Sequence, residues 1–194
     1  MKLKSARTVK SLSSVLLDKS IPLSTVEIYW VFSGISTDKW ENMTIISNEM
    51  LGKEYPKTFG HYHNIHATET THLVQGEGIY QVQEKFYDSS GKWVKDKVKA
   101  VYFVQAMPGD EIVTTPNFAH SWSNLGSTPL LTFDDWREGH TDHDYEIIKK
   151  LGGMAYYVCI KKGALDLVPN PNYKELPPPK IISAKNFMEI VKGL

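Results

Sequence analysis

From residue 25 to residue 131 the chain is a succession of short β-branched and aromatic runs, broken by Gly, Pro, Asn and Asp at intervals of roughly ten residues. Such spacing suits an all-β barrel or sandwich, each run one strand and each break one turn. Residues 26–32, 43–46, 70–74, 78–83, 101–104, 111–114 and 130–133 are the clearest strands. Asp88-Ser89-Ser90-Gly91 separates residues 83–87 from 92–94 and marks a hairpin with a polar tip, extended by residues 95–99. Helical spacing predicts short helices over 11–18 and 145–151, a return to strand over 154–160, and a surface helix over 183–191.

Composition limits the function classes. With 22 Lys+Arg against 22 Asp+Glu among 194 residues, there is no broad charge to attract nucleic acid or an anionic membrane. No apolar stretch approaches the roughly 20 residues of a membrane helix. The single cysteine, Cys159, forms no intrachain disulfide and reads as a small buried apolar residue. The first 17 residues are basic and Ser-containing but lack the apolar core of a secretory signal, so a cytoplasmic protein is expected. One domain over 1–194 is expected, with its core at about 25–168, an N-terminal helix and arm over 1–24, and a Pro-rich tail over 169–194.

The chemistry concentrates in histidines. Gly60-His61-Tyr62-His63 is followed by Glu69, and Pro116-Asn117-Phe118-Ala119-His120 by Asn124. Histidines at i and i+2 on a strand point to the same side, so His61 and His63 can offer imidazoles to one point. A strand returning after a turn can bring Glu69 there, and His120 can arrive from the other half of the body. Three imidazoles and one carboxylate leave open positions on a five- or six-coordinate ion, which suits catalysis. Alone, a His-x-His pair is more often an ordinary hydrogen-bonded pair; the combination is what argues for a metal.

At these residues the sequence resembles the cupin superfamily. Gly52-Lys53-Glu54, Thr58, Gly60-His61-Tyr62-His63, Glu69, Gly76-Glu77-Gly78, Pro108-Gly109, Ala119-His120, Asn124-Leu125-Gly126 and His143-Asp144-Tyr145 are similar to the pattern of one branch, the archaeal-type glucose-6-phosphate isomerases. The likeness runs from about residue 7 to residue 171. Thr71 stands where an aromatic residue is expected, and the 84–99 hairpin and the tail beyond Asn172 look like additions. The resemblance implies an all-β cupin double-stranded β-helix (a jelly-roll barrel) with short peripheral helices, a homodimer, and interconversion of glucose 6-phosphate and fructose 6-phosphate. It implies that His61, His63, Glu69 and His120 bind Fe(II) or Mn(II), with Ni or Zn able to substitute in a preparation. It places Thr44, Thr58, Gly60, His143 and Tyr145 around the phosphate and Tyr29 near the sugar. His140, three residues from His143, can take the same role. A small-molecule sugar phosphate is the expected partner, with neither nucleic acid nor membrane.

Aldose–ketose interconversion moves a hydrogen between C1 and C2 of an open-chain sugar, and the charge that builds on their oxygens needs a Lewis acid. His61, Glu69 and Tyr80 are the candidate catalytic residues. Glu69 is the first candidate to carry the proton, although a tight ligand cannot easily also be a base, and a hydride shift is the other route. His72 is a further candidate that strand alternation would turn away from the face carrying Thr71. The scattered tryptophans receive no site, and Asp134-Asp135 and Asp142 with Asp144 read as loop residues. Alternative readings are an isomerase of another sugar, a dioxygenase-type metalloenzyme, or a non-catalytic sugar-binding cupin.

Overall fold

The computed structural model describes residues 1–35, 38–65 and 67–193. The chain opens with β1 (Lys2–Thr8), α1 (Val9–Leu12) and a 3-10 turn at Ser13–Val15, then β2 (Glu27–Ser33), β3 (Asn42–Ile46) and β4 (His61–Tyr62). There follow β5 (Glu69–Gln75), β6 (Gly78–Tyr87), β7 (Trp93–Ala106), β8 (Glu111–Thr114), β9 (Phe118–Asn124) and β10 (Leu130–Asp134). The chain ends with α2 (Asp142–Lys150), β11 (Tyr156–Lys161), β12 (Ala164–Pro169), β13 (Lys180–Ser183) and α3 (Ala184–Lys192). All seven strand runs read from the sequence are strands.

The strands form a six-stranded sheet in the order β1-β2-β3-β10-β5-β8, a five-stranded sheet in the order β13-β7-β6-β9-β4, and a separate β11-β12 hairpin. Within the two large sheets every pairing is antiparallel except β13 on β7. One apolar cluster joins Ile28, Ile46, Leu73, Ile112 and Leu130 of the six-stranded sheet to Tyr80, Val82, Tyr102, Val104 and Phe118 of the five-stranded one. The all-β jelly roll with peripheral helices is therefore present, as two separately hydrogen-bonded sheets facing each other.

A second cluster joins Ile79, Val101 and Phe103 to Tyr156 and Val158 of β11 and to Tyr173. Both faces of β6 are thus covered, which is why Gly78 to Glu84 are all buried and the strand lacks a polar face. Gln83 survives inside because its amide donates to the Tyr62 and Tyr173 hydroxyls and accepts from the Ala155 N–H, at 2.8–3.0 Å. The expected 84–99 hairpin is the continuous outer half of β6 and β7, and Asp88 Oδ1 closes its tip on the Ser90 and Lys92 N–H groups.

Three expectations are corrected. The predicted helix over 11–18 is the short α1 and its 3-10 turn, preceded by β1; Thr8 and Ser11 cap each other's backbone and start the helix at Val9. α2 begins at Asp142 because the Asp144 carboxylate accepts from the Thr141 N–H at 2.7 Å. α3 is no surface appendage: Phe187 is fully buried and meets Tyr102 and Phe118, each at 5.7 Å.

Candidate metal centre

β4 and β9 pair so that His61 faces His120 across the ladder, while Glu69 opens β5 in the opposite sheet. His63 follows β4 directly. The site is therefore built between the sheets, three imidazoles from one side and a carboxylate from the other. One ligand atom from each of His61, His63, Glu69 and His120 lies within 4.8 Å of the others. Glu69 Oε2 is 2.7 Å from His63 Nε2 and 3.3 Å from His120 Nε2.

Gly60 sets the approach to β4. Its φ of +82° favours glycine, and a Cβ there would come within 2.9 Å of Met154 Sδ. The loop after His63 is tied down by Asp144, whose Oδ1 accepts from the Asn64 N–H and side-chain amide, both at 3.0 Å. Asp144 and Asp142, read as loop residues from the sequence, belong to the first turn of α2.

Electrostatics keep His61 and Glu69 in ligand-competent forms. Burial holds His61 well below the ordinary imidazole value, and His120 and His140 add to this, so its ring is neutral. Burial works to raise Glu69, but His120 and His63 outweigh it and leave the carboxyl well below its ordinary value. His61 Nε2, His63 Nδ1 and both ring nitrogens of His120 are buried without a hydrogen-bond partner. Orphaned imidazole nitrogens around a charged carboxylate fit a divalent cation, which consumes lone pairs that nothing else satisfies.

A cavity of about 260 Å³ opens beside the four residues. Tyr29, Thr44, Thr58, Gly60, Tyr80 and Tyr145 line it, as the sequence reading expected of site residues. Thr58 Oγ1 lies 3.2 Å from the Ser121 hydroxyl and accepts from the Trp122 N–H, and the Phe59 N–H donates to the Tyr29 hydroxyl at 3.4 Å. The Tyr80 hydroxyl is buried without a hydrogen bond; burial, then the Glu69 charge, push its pKa well above the ordinary phenol value.

His143 is not brought to the cavity. Its side chain is 81% exposed and lies 3.7 Å from Glu146, because the early start of α2 places it on the solvent side of the first turn. His140, just before the Thr141 cap, lines the cavity instead, with its ring 4.2 Å from that of His61; burial lowers its pKa to about 4. His72 stacks on Trp40 at 5.2 Å, outside the cavity, while Thr71 faces into it.

Several residues in or beside the cavity escaped the sequence reading. Trp136 packs on the His63 ring at 3.8 Å, and Trp122 Nε1 donates to Thr71 Oγ1 at 3.2 Å. Asp134, taken for a loop residue, ends β10 and lines the cavity; its Oδ1 accepts from the Asn42 amide at 2.6 Å and the Trp136 N–H at 3.1 Å. Burial, and then Glu69, push its pKa up to about 7. Lys4 and Arg7 of β1 also line the cavity. Period-two patterning around residues 130–134 was the one signal that could have placed Asp134 on the inner face.

A family model described as glucose-6-phosphate isomerase (GPI) matches residues 35–174. No curated protein matches. Among solved structures, the chain is similar to peruvianin-I, a cysteine peptidase from Thevetia peruviana latex, with 12% identity over 69% of this chain and 60% of that one and a TM-score of 0.34. It is similar to the CENP-C cupin domain of Drosophila melanogaster, with 13% identity over 57% and 68% and a TM-score of 0.33. An oxalate oxidase in complex with the substrate analogue glycolate gives 14% identity over 67% and 47%, with a TM-score of 0.34. This chain spans less than two thirds of the length of the first and third.

Proposed function

Because this chain belongs to the glucose-6-phosphate isomerase (GPI) family, in its archaeal cupin form, we propose that it interconverts glucose 6-phosphate and fructose 6-phosphate at a divalent metal held by His61, His63, Glu69 and His120. The observation that carries the proposal is this cluster of buried, unpartnered imidazole nitrogens around Glu69, inside the segment matched by the family model and open to a sugar-sized cavity. Bound there, Fe(II) or Mn(II) supplies a Lewis acid for the oxygens at C1 and C2.

The chain's own residues do the rest. Thr44, Thr58, the Gly60 backbone and Tyr145 present the hydroxyls and N–H that a phosphate accepts from, and Tyr29 borders the sugar. His140 takes the place expected for His143. The neutral Tyr80 hydroxyl, with no partner of its own, donates to a substrate oxygen. Two carboxyls line the cavity, Glu69 and Asp134, and their surroundings push their pKa values in opposite directions. This split, with both carboxyls on the cavity wall, favours Glu69 as the ionised ligand and Asp134 as the group that carries the proton between C2 and C1.

The same proposal includes a cytoplasmic homodimer. β1 is an edge of the six-stranded sheet, and Leu3 and Val26 are exposed there. No helix among the described residues is long and apolar enough to cross a membrane.

A coupled assay of fructose 6-phosphate to glucose 6-phosphate, with metal content measured on the same sample, tests the proposal. Activity that disappears with chelator, returns with Fe(II) or Mn(II), and is absent in His61→Ala is the expected result. Bound metal without this activity overturns the substrate assignment, and no metal at all overturns the site.

A further inference from the structure

The family match begins at residue 35, so β1 lies before it, yet β1 delivers two cations, Lys4 and Arg7, to the wall of the metal-side cavity. We propose that Arg7 recognises the terminal phosphate of the substrate and sets the preference for a phosphorylated over a free sugar; this rests on the sugar-phosphate reading above.

The root of Arg7 is fixed by the ladder, where it pairs with Tyr29 of β2. Its guanidinium carbon lies 6.0 Å from the Phe59 ring centroid and 5.6 Å from that of Tyr145, and these two rings meet edge-on at 5.5 Å. Arg7 also meets the Tyr29 hydroxyl, and a guanidinium against aromatic rings keeps its remaining N–H groups for a planar or tetrahedral oxyanion, which it can grip with two hydrogen bonds. Among the described residues no carboxylate forms an ion pair with Arg7, whereas the other arginine of the chain, Arg137, is paired with Glu41 at 3.0 Å. A partly buried cation in a concave site, stacked but not neutralised, lacks an anion.

Its position selects the kind of anion. A single aromatic ring, Tyr145, separates Arg7 from the metal ligands: it is 5.6 Å from the guanidinium and 5.4 Å from the His61 ring. A ligand that meets both must carry its anionic group and its carbonyl end at opposite ends of one extended chain. An open-chain sugar with a terminal phosphate monoester has that form, and a free sugar leaves the guanidinium unpaired. Thr58 and Gly60, on the loop leading into His61, add neutral donors to the same cavity.

The test uses the full chain with its metal. Arg7→Gln, which removes the charge but keeps a shorter polar side chain, and Arg7→Lys, which keeps the charge but not the fork, are compared with wild type by steady-state kinetics on fructose 6-phosphate and on fructose. Calorimetric titration with inorganic phosphate is run on the same three proteins, and melting temperature and metal content check that each is folded and loaded. Arg7→Gln should raise KM for fructose 6-phosphate by roughly 10- to 100-fold with kcat within a few-fold. The kcat/KM ratio of fructose 6-phosphate over fructose should fall by the same factor, and phosphate affinity should weaken in parallel, with Arg7→Lys between the two. Unchanged KM and phosphate affinity in a folded, metal-loaded Arg7→Gln overturn the inference. If wild type fails to isomerise but binds phosphate in an Arg7-dependent way, the isomerase reading falls while the anion site stands. If none of the three proteins binds phosphate, the anion site falls.

Discussion

At the scale of single residues the site divides into groups that hold and groups that move. His61 holds: burial keeps its ring neutral, and its Nε2 has no partner in the protein. His61→Ala should therefore cost at least tenfold in metal affinity, read by metal analysis after dialysis against a weak chelator. Asp134 is the proposed proton carrier, and its titration should be visible in stability. Its folded pKa of about 7 lies above the ordinary carboxyl value of 3.8, so the native state binds the proton more tightly than the unfolded chain. A raised carboxyl favours folding below its unfolded pKa, and that contribution is lost as pH rises through 7. Asparagine keeps the oxygen that accepts from Asn42 and Trp136 but carries no charge. In chelated protein, Asp134→Asn should raise the melting temperature by a few degrees at pH 8 and by much less at pH 4, followed by calorimetry. On substrate, the same variant should lose roughly 100- to 10,000-fold in kcat. The ligand quartet was legible in the sequence because alternation and spacing are local properties. Arg7 was not, since its facing depends on the β1–β2 register, and the choice of His140 over His143 stayed open, since it depends on where Thr141 and Asp144 start a helix.

Elements are fastened to the jelly roll by few groups, and these are where stability should fail. Glu54 and Lys57 form an ion pair that is almost wholly buried. Glu54 Oε2 also accepts from the Leu17 N–H at 2.9 Å, and Lys57 Nζ donates to the Val15 carbonyl at 2.7 Å. The pair thus anchors the segment after α1, which brings Leu12, Val15 and Leu16 into the main core. Lys57→Met leaves the Glu54 carboxylate buried without its counter-charge, at a cost of about 3 kcal/mol or more. Thermal unfolding should shift down by roughly 6 to 12 °C. At the other end, Phe187 is the plug through which α3 closes the core, and Phe187→Ala should cost about 3 to 5 kcal/mol in denaturant unfolding. The strands of the body were readable because turn residues punctuate them. β13 was not, because a short strand that pairs in parallel far from its sequence neighbours carries no local signature.

For the whole molecule, a metal bound by the four candidate ligands would make a thermodynamic link between two sheets that are otherwise hydrogen-bonded separately. His61 and His120 belong to the five-stranded sheet, and His63 follows β4 of that sheet, while Glu69 belongs to the six-stranded one. An ion bound by all four clamps them together near the cavity. Any ligand that binds only the folded state stabilises it by mass action, about 2.7 kcal/mol when its concentration is a hundred times its dissociation constant. Chelation should therefore lower the melting temperature by roughly 5 to 11 °C, and the His61→Ala protein should show little further drop. Hydrogen exchange separates a clamp from a ligand that merely sits on one sheet. Chelation should speed exchange of amides in β4 and β9 and also in β5, on the opposite sheet, because the cation that opposes the Glu69 charge is gone. Faster exchange confined to β4 and β9 would mean that the histidines alone hold the ion and that Glu69 is free for the proton. In that case the division of labour between Glu69 and Asp134 would reverse, and Asp134→Asn would leave kcat nearly intact.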